Sequence, residues 1–261
     1  MSESEPGERD RALPPVRTRF PLDAAALHRM AAVTFLGFAS GLPLALTGQA
    51  MQAWLSLEGL DLATIGFLSL VGLPYTFKFL WAPLMDRFEL PWLGRRRGWL
   101  VLTQLALAGA LWWLADTSPA QATRAFALLA VLVAFVAASQ DVVIDAYRTD
   151  LLAARERGLG SSLSVLGYRL AMILSGGVAL IWVDPSNASG PGGWTWPEVY
   201  RFMAALMAGA AALSAAALPR VKSVGDRSSV ARQDLLGFLA LLTAVAVGFV
   251  ISDPANASPS L

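Results

Sequence analysis

The chain has 261 residues, of which 56% are hydrophobic and 15% charged, with a formal net charge of +1. That balance is too apolar for a water-soluble domain of this size and makes the lipid bilayer its expected surroundings, while a charge so close to zero offers no field to recruit nucleic acid. Cysteine is absent and His28 is the single histidine, which removes disulfides and thiolate metal sites and leaves no material for a histidine metal cluster or a Ser-His-Asp triad.

Residues 1–29 hold Pro6, Pro14, Pro15 and five arginines among few apolar residues, and read as a flexible cytoplasmic tail. No short apolar core lies near the start, so the pattern is not that of a cleavable signal. From Met30 to Leu57 the sequence is uncharged and long enough to cross the hydrocarbon as a helix. Six further apolar runs follow at about 62–85, 98–115, 123–147, 158–183, 199–219 and 235–252. They are continuous, whereas barrel strands would alternate over ~10 residues, so an all-α membrane protein is expected. Residues 30–219 should form a six-helix bundle, 220–234 a basic cytoplasmic linker, 235–252 a seventh span and 253–261 a C-terminal tail.

Lysine and arginine fall almost entirely on alternate loops. Sixteen of the 20 lie in the tail, in the loops after the second and fourth spans, and after the sixth, against Arg124 and Arg201 on the other side. By the positive-inside rule the N-terminus is expected in the cytoplasm. The remaining two cations, Lys78 and Arg169, fall inside spans, as do Asp141 and Asp145. Each charge at a helix centre costs about 2.5–3.5 kcal/mol, so the four must pair or face water. Asp141 and Asp145 share a face of the fourth span, and Tyr75 and Lys78 share a face of the second. Two carboxylates so close repel, which favours one of them carrying a proton. Two readings stay open: a structural Lys–Asp pair that fixes packing, and a polar cavity lined by the second, fourth and fifth spans with an aspartate as proton acceptor. Asp145 also has Arg148 within reach at the cytoplasmic end.

Gln49, Gln52, Gln104, Gln140 and Tyr168 are further polar groups at membrane depth, suited to bonding a neighbouring helix or to touching a solute. Gly37-x-x-x-Gly41 and Gly176-Gly177 permit close helix approach, and Pro43 and Pro74 should kink or break their helices. The minimal parts of ATP hydrolysis, serine hydrolysis and zinc proteolysis are all missing from the sequence, so neither an enzyme nor a cofactor is expected.

Ala82-Pro-Leu-Met-Asp86-Arg87 followed by Gly94-Arg95-Arg96-Arg97-Gly98 resembles the cytoplasmic signature of the major facilitator superfamily, lengthened here by Phe88 to Leu93. The longer form is similar to the AmpG-type muropeptide permeases. The same branch is resembled by Phe38-Ala-Ser-Gly41-Leu-Pro43-Leu, Phe77-Lys78-Phe-Leu-Trp81, Ser139-Gln140-Asp141, Asp145-Ala146 and Ser164-Val-Leu-Gly167-Tyr168-Arg169. The resemblance covers about residues 33–220. It implies uptake of GlcNAc–anhydroMurNAc peptides with protons across the bacterial inner membrane, in peptidoglycan recycling and β-lactamase induction. It further implies a gate built from Asp86, Arg87, Arg95, Arg96 and Arg97, with Asp141 and Asp145 in proton coupling. Lys78 and Arg169 would meet anionic groups, Tyr75 or Tyr168 would stack on sugars, and Gln49, Gln52 and Gln140 would complete the substrate site. Superfamily transporters have two six-helix halves, so the chain is expected to be a truncated N-terminal half, or one that works with a partner half or as a dimer. A carrier of acyl-CoA or another anionic solute, and a non-transporting scaffold or sensor, are the competing readings.

Overall fold

The computed structural model describes residues 23–87, 93–184, 193–219 and 221, all of them helix or connecting loop with no strand among them. Among the described residues six helices are long and apolar enough to cross a membrane: α1 Ala24–Leu57, α2 Leu62–Leu80, α3 Arg95–Ala115, α4 Thr123–Leu151, α5 Ala154–Val183 and α6 Trp196–Ala217. The protein is a multi-pass membrane protein. The basic linker 220–234 apart from Val221, the seventh span 235–252 and the tail 253–261 lie outside the described residues, as do residues 1–22 of the N-terminal tail.

The first helix starts at Ala24, six residues before the apolar run at Met30. Asp23 accounts for the difference: its carboxylate accepts from the Ala26 amide at 2.7 Å and caps the helix, carrying His28 and Arg29 into its first turns. At the far end Gly59 adopts φ 76 and closes the helix, with Gly59 N bonded to Ser56 O and Leu60 N to Leu55 O. α6 begins in a capping box between Thr195 and Glu198, with Pro197 in its first turn.

Pro43 does not end α1. The helix runs on to Ala45 and then passes through a π-helical segment, Leu46–Ala50, in which Gly48 leaves helical geometry with ψ at -110. A matching π segment, Ile173–Val178, interrupts α5 and touches the first. α2 is the least regular span, alternating α-helix with 3-10 turns at Ser69–Gly72 and Lys78–Leu80. Pro74 opens one helical stretch, and Pro83 lies in the short helix Ala82–Arg87 beyond the turn at Trp81, where its ring prevents continuous helix.

α1 packs along α5, and α3 along α6 and α4. Glycine makes the first contact close. A Cβ on Gly37 or Gly41 would strike the carbonyls of Ser164 and Tyr168, and one on Gly167 would strike that of Thr34. No hydrophobic force drives helices together within lipid, so small residues and close backbones supply the packing. Large apolar side chains such as Leu128, Phe67 and Trp113 are left exposed, as lipid contact requires. The larger core cluster gathers Trp54, Phe126, Trp196 and Tyr200, with Tyr200 Oη bonded to the Leu46 carbonyl at 2.6 Å. A smaller one joins Leu36, Met85, Tyr147 and Leu218 towards the other end.

That other end is basic, and its charges are paired across helices. Arg29 makes a two-point contact with Glu156, at 2.6 and 3.0 Å, tying the start of α1 to the start of α5. Arg96 Nε bonds Asp150 at 2.9 Å, Arg97 donates to the Ala215 carbonyl, and His28 lies 2.9 Å from the carbonyl of Ala217. At the opposite end Arg201 joins α6 to Asp116 after α3.

Candidate polar site between the first, second and fourth helices

Three consecutive residues of α4 reach neighbouring helices. Ser139 Oγ donates to the Phe135 carbonyl at 2.8 Å and accepts from Trp81 Nε1 at 3.0 Å. Gln140 is fully buried, and its Nε2 donates to the Ala39 carbonyl on α1 at 3.0 Å. That carbonyl is open because Pro43, four residues on, has no N–H to offer it. Asp141 accepts from Ser40 Oγ at Oδ1, and its Oδ2 lies 3.7 Å from Lys78 Nζ.

Lys78 stands between two carboxylates, since Asp145 Oδ2 is 3.9 Å away. Both separations exceed a direct N–H···O bond, so attraction between charges rather than a tight hydrogen bond holds the lysine. The environments of the two acids differ: the Asp141 side chain is 12% exposed and that of Asp145 56%. Asp145 also accepts from Arg148 at 3.0 Å, so Arg148 and Lys78 share it. The hydroxyl of Tyr75 is buried and makes no hydrogen bond among the described residues. It and Tyr168 of α5 are the phenols near enough to Asp141 to interact with it electrostatically.

The structure thus brings together Lys78, Asp141, Asp145, Gln140 and Tyr75, with Tyr168 at the margin. Arg169 is not among them: it is exposed, and Nη1 lies 4.0 Å from Met172 Sδ. Gln49, inside the π segment of α1, and Gln52, just beyond it, are exposed, with Gln49 roughly 13 Å along the helix from Ser40 at 1.5 Å per residue. Gln104 is fully buried with neither amide atom partnered among the described residues. Asp86 and Arg87 end the short helix Ala82–Arg87, and their side chains lie outside the described residues. A cavity of about 460 Å³ lies beside the site between α2 and α4, and its lining, including Phe67, Val71, Phe77, Val131 and Phe135, is apolar. Lys78 turns from it towards the carboxylates.

Ser40 and Trp81 complete this network without carrying a charge that would mark them in the sequence. A serine in a membrane helix ordinarily bonds its own backbone, so its type alone does not identify a partner. Its place one residue after Ala39, whose carbonyl Pro43 leaves open, is the available clue.

The sequence pattern of the Major Facilitator Superfamily matches residues 33–256. The chain is 53% identical over 180 residues to the anhydromuropeptide permease of Escherichia coli, a match covering 69% of this chain and 35% of that protein. It is 31% identical over 156 residues to a Rickettsia conorii protein named as an AmpG transporter, covering 59% of this chain and 38% of the relative. The chain therefore spans about a third of the length of these curated relatives. Six spanning helices, charged side chains paired between them and a pattern matched across most of the sequence converge on one assignment: the chain belongs to the Major Facilitator Superfamily.

Proposed function

We propose that the protein is the N-terminal half-bundle of a proton-coupled importer of anhydro-muropeptides in the bacterial inner membrane. The basic end of the bundle faces the cytoplasm, and a second half, from the rest of a longer polypeptide or from a partner chain, completes the carrier. The observation that carries the reading is the 53% identity to an anhydromuropeptide permease across 69% of the chain.

Chemistry supports it. Asp141 is a largely buried carboxylate bonded by a neutral hydroxyl and approached by one cation, an arrangement whose charge balance changes when a proton arrives. Asp145 is a second acid within reach of the same lysine. Proton entry loosens the hold of Lys78, and the helices regroup around the cargo. Muropeptides carry carboxylates and sugar rings. Arg169 and Tyr168, together with Gln49 and Gln52, are placed to meet such a solute on surfaces that the six helices leave partly or wholly open. Lys78 and Tyr75 act from within the bundle, and Gln140 holds the wall of the site. Asp86, Arg87 and Arg95–Arg97 form the cytoplasmic gate, Arg96 and Arg97 by holding the ends of α4 and α6.

The test is uptake of labelled anhydro-muropeptide in a strain lacking its own permease, comparing this chain with a version completed by a family C-terminal half, with and without a protonophore. Uptake by the completed protein that collapses with the proton gradient is expected. Absence of uptake from both versions, with both present in the membrane, removes the muropeptide reading.

A further inference from the structure

The two oxygens of Asp141 serve different helices. Oδ1 takes the hydroxyl of Ser40 on α1, while Oδ2 faces the ammonium of Lys78 on α2. An ionised carboxylate only accepts, so Ser40 is the donor, and among the described residues its hydroxyl makes no other hydrogen bond. A proton added to Oδ1 would reverse that bond, turning the hydroxyl into the acceptor and leaving its own hydrogen without the oxygen it now meets. Oδ2 makes no direct hydrogen bond that a proton would have to break, because Nζ stands off at 3.7 Å, and a proton there turns the ammonium away.

We propose that Ser40 is a positioning residue that directs the incoming proton to Oδ2 of Asp141, so that protonation shifts Lys78, and with it α2, from Asp141 towards Asp145 along α4, while α1 stays attached to α4. This rests on the reading of Asp141 as the proton carrier. A protonated Oδ2 leaves the carboxyl neutral, and an ammonium has donors only, so the attraction to Lys78 disappears. The lysine is not stranded: Asp145 Oδ2 already lies 3.9 Å from it. On the α1 side nothing needs to change. Ser40 continues to donate to Oδ1, and the Gln140–Ala39 bond carries no charge.

Among the described residues the groups facing Asp141 are few. α2 contributes Lys78 and Tyr75, α5 contributes Tyr168, and α4 contributes Asp145 one turn away with its partner Arg148. The hydroxyl of Ser40 is what α1 places against the carboxylate. Phenols are neutral at physiological pH, so Asp141, Asp145 and Lys78 share the change of charge. Unequal attachment of Asp141 to the two helices converts one proton into movement of one of them.

The test uses the purified 261-residue chain in lipid bilayers, with infrared difference spectra between high and low pH. The protonated-carboxyl band of Asp141 is identified by its loss in Asp141→Asn. In Ser40→Ala this band is expected to move to higher wavenumber, because the carbonyl oxygen loses its donor, and Ser40→Thr should restore the position. Because the chain has no cysteine, spin labels at Leu80→Cys with Leu132→Cys report the α2–α4 separation, and at Ala31→Cys with Leu132→Cys the α1–α4 separation. Acidification should change the first and leave the second unchanged, and Asp141→Asn should show the low-pH separation at every pH. A band that stays put in Ser40→Ala, or two separations that move alike or not at all, overturns the proposal. If no band is lost in Asp141→Asn, proton carriage by Asp141 fails as well. Neither experiment contains muropeptide, so failed uptake leaves both outcomes readable.

Discussion

Gln140 bonds the carbonyl oxygen of Ala39 at 3.0 Å because Pro43 leaves that oxygen without its helical partner. A proline usually regarded as a helix breaker thus creates a docking point for the next helix but two. Gln140→Leu is expected to destabilise the bundle by about 1–2 kcal/mol, since a buried acceptor is left unmet. In a Pro43→Ala background, where the restored N–H can satisfy Ala39, the same change should cost clearly less. A double-mutant cycle in detergent unfolding checks this, and equal costs in both backgrounds would sever the link between proline and glutamine.

The α1–α5 seam depends on the absence of side chains. Gly37→Val and Gly167→Val would drive methyl groups into the carbonyls of Ser164 and Thr34, and each should lower stability by about 1–3 kcal/mol as overpacking does. Gly109→Ala, where an added Cβ meets nothing within 4 Å, should be neutral or mildly stabilising. Thermal unfolding in nanodiscs measures the contrast.

Lys78 and Asp141 separate stability from transport. Lys78→Met alone leaves a poorly solvated carboxylate and should cost of order 2 kcal/mol, less than for a fully buried pair because the lysine is one-third exposed. Lys78→Met with Asp141→Leu should recover much of that loss yet carry no proton-driven uptake in the completed transporter. Uptake that survives in the double variant would make the pair purely structural. Asp141→Asn alone should abolish proton-coupled uptake without unfolding the protein, whereas Asp145→Asn, at a half-exposed position, should retain part of it.

At the start of α2, the Thr64 hydroxyl and amide hold the Asp61 carboxylate below its usual range. A carboxylate lowered in the folded state lends stability above its unfolded value and loses it as pH falls through the folded one. The first turn of α2 should therefore loosen only in strong acid, below the ordinary aspartate range, and Asp61→Asn should remove that acid dependence. Amide exchange at Thr64 and Ile65, corrected for intrinsic rates, reads this directly.

Apolar runs located the six described spans because lipid demands continuous hydrophobicity, and the runs failed only at their ends. α3 begins at Arg95 and α5 at Ala154, inside charged stretches that a hydrophobicity pattern treats as loop. Those charges are satisfied locally or across the bundle, as Arg96 is by Asp150, and so can remain helical. The Lys78–Asp141 encounter was legible because an unpaired charge in a membrane is costly. Ser40 was not, since a hydroxyl carries little such cost. Nor was Arg29–Glu156, whose members are 127 residues apart with no periodicity to connect them.

The glycine seam also sets an order of assembly. Gly37 packs on Ser164 and Gly167 on Thr34 across the same seam, yet 130 positions of chain separate the two glycines. At about 5–20 residues per second of synthesis, α1 waits roughly 6–26 s in the membrane before its partner is made. During that interval its flat glycine face has no permanent neighbour. α4 is made first, and Gln140 can occupy the Ala39 carbonyl before α5 arrives to close the seam. A weakened Gln140 would then show itself first in yield of inserted protein, even where the finished bundle is sound.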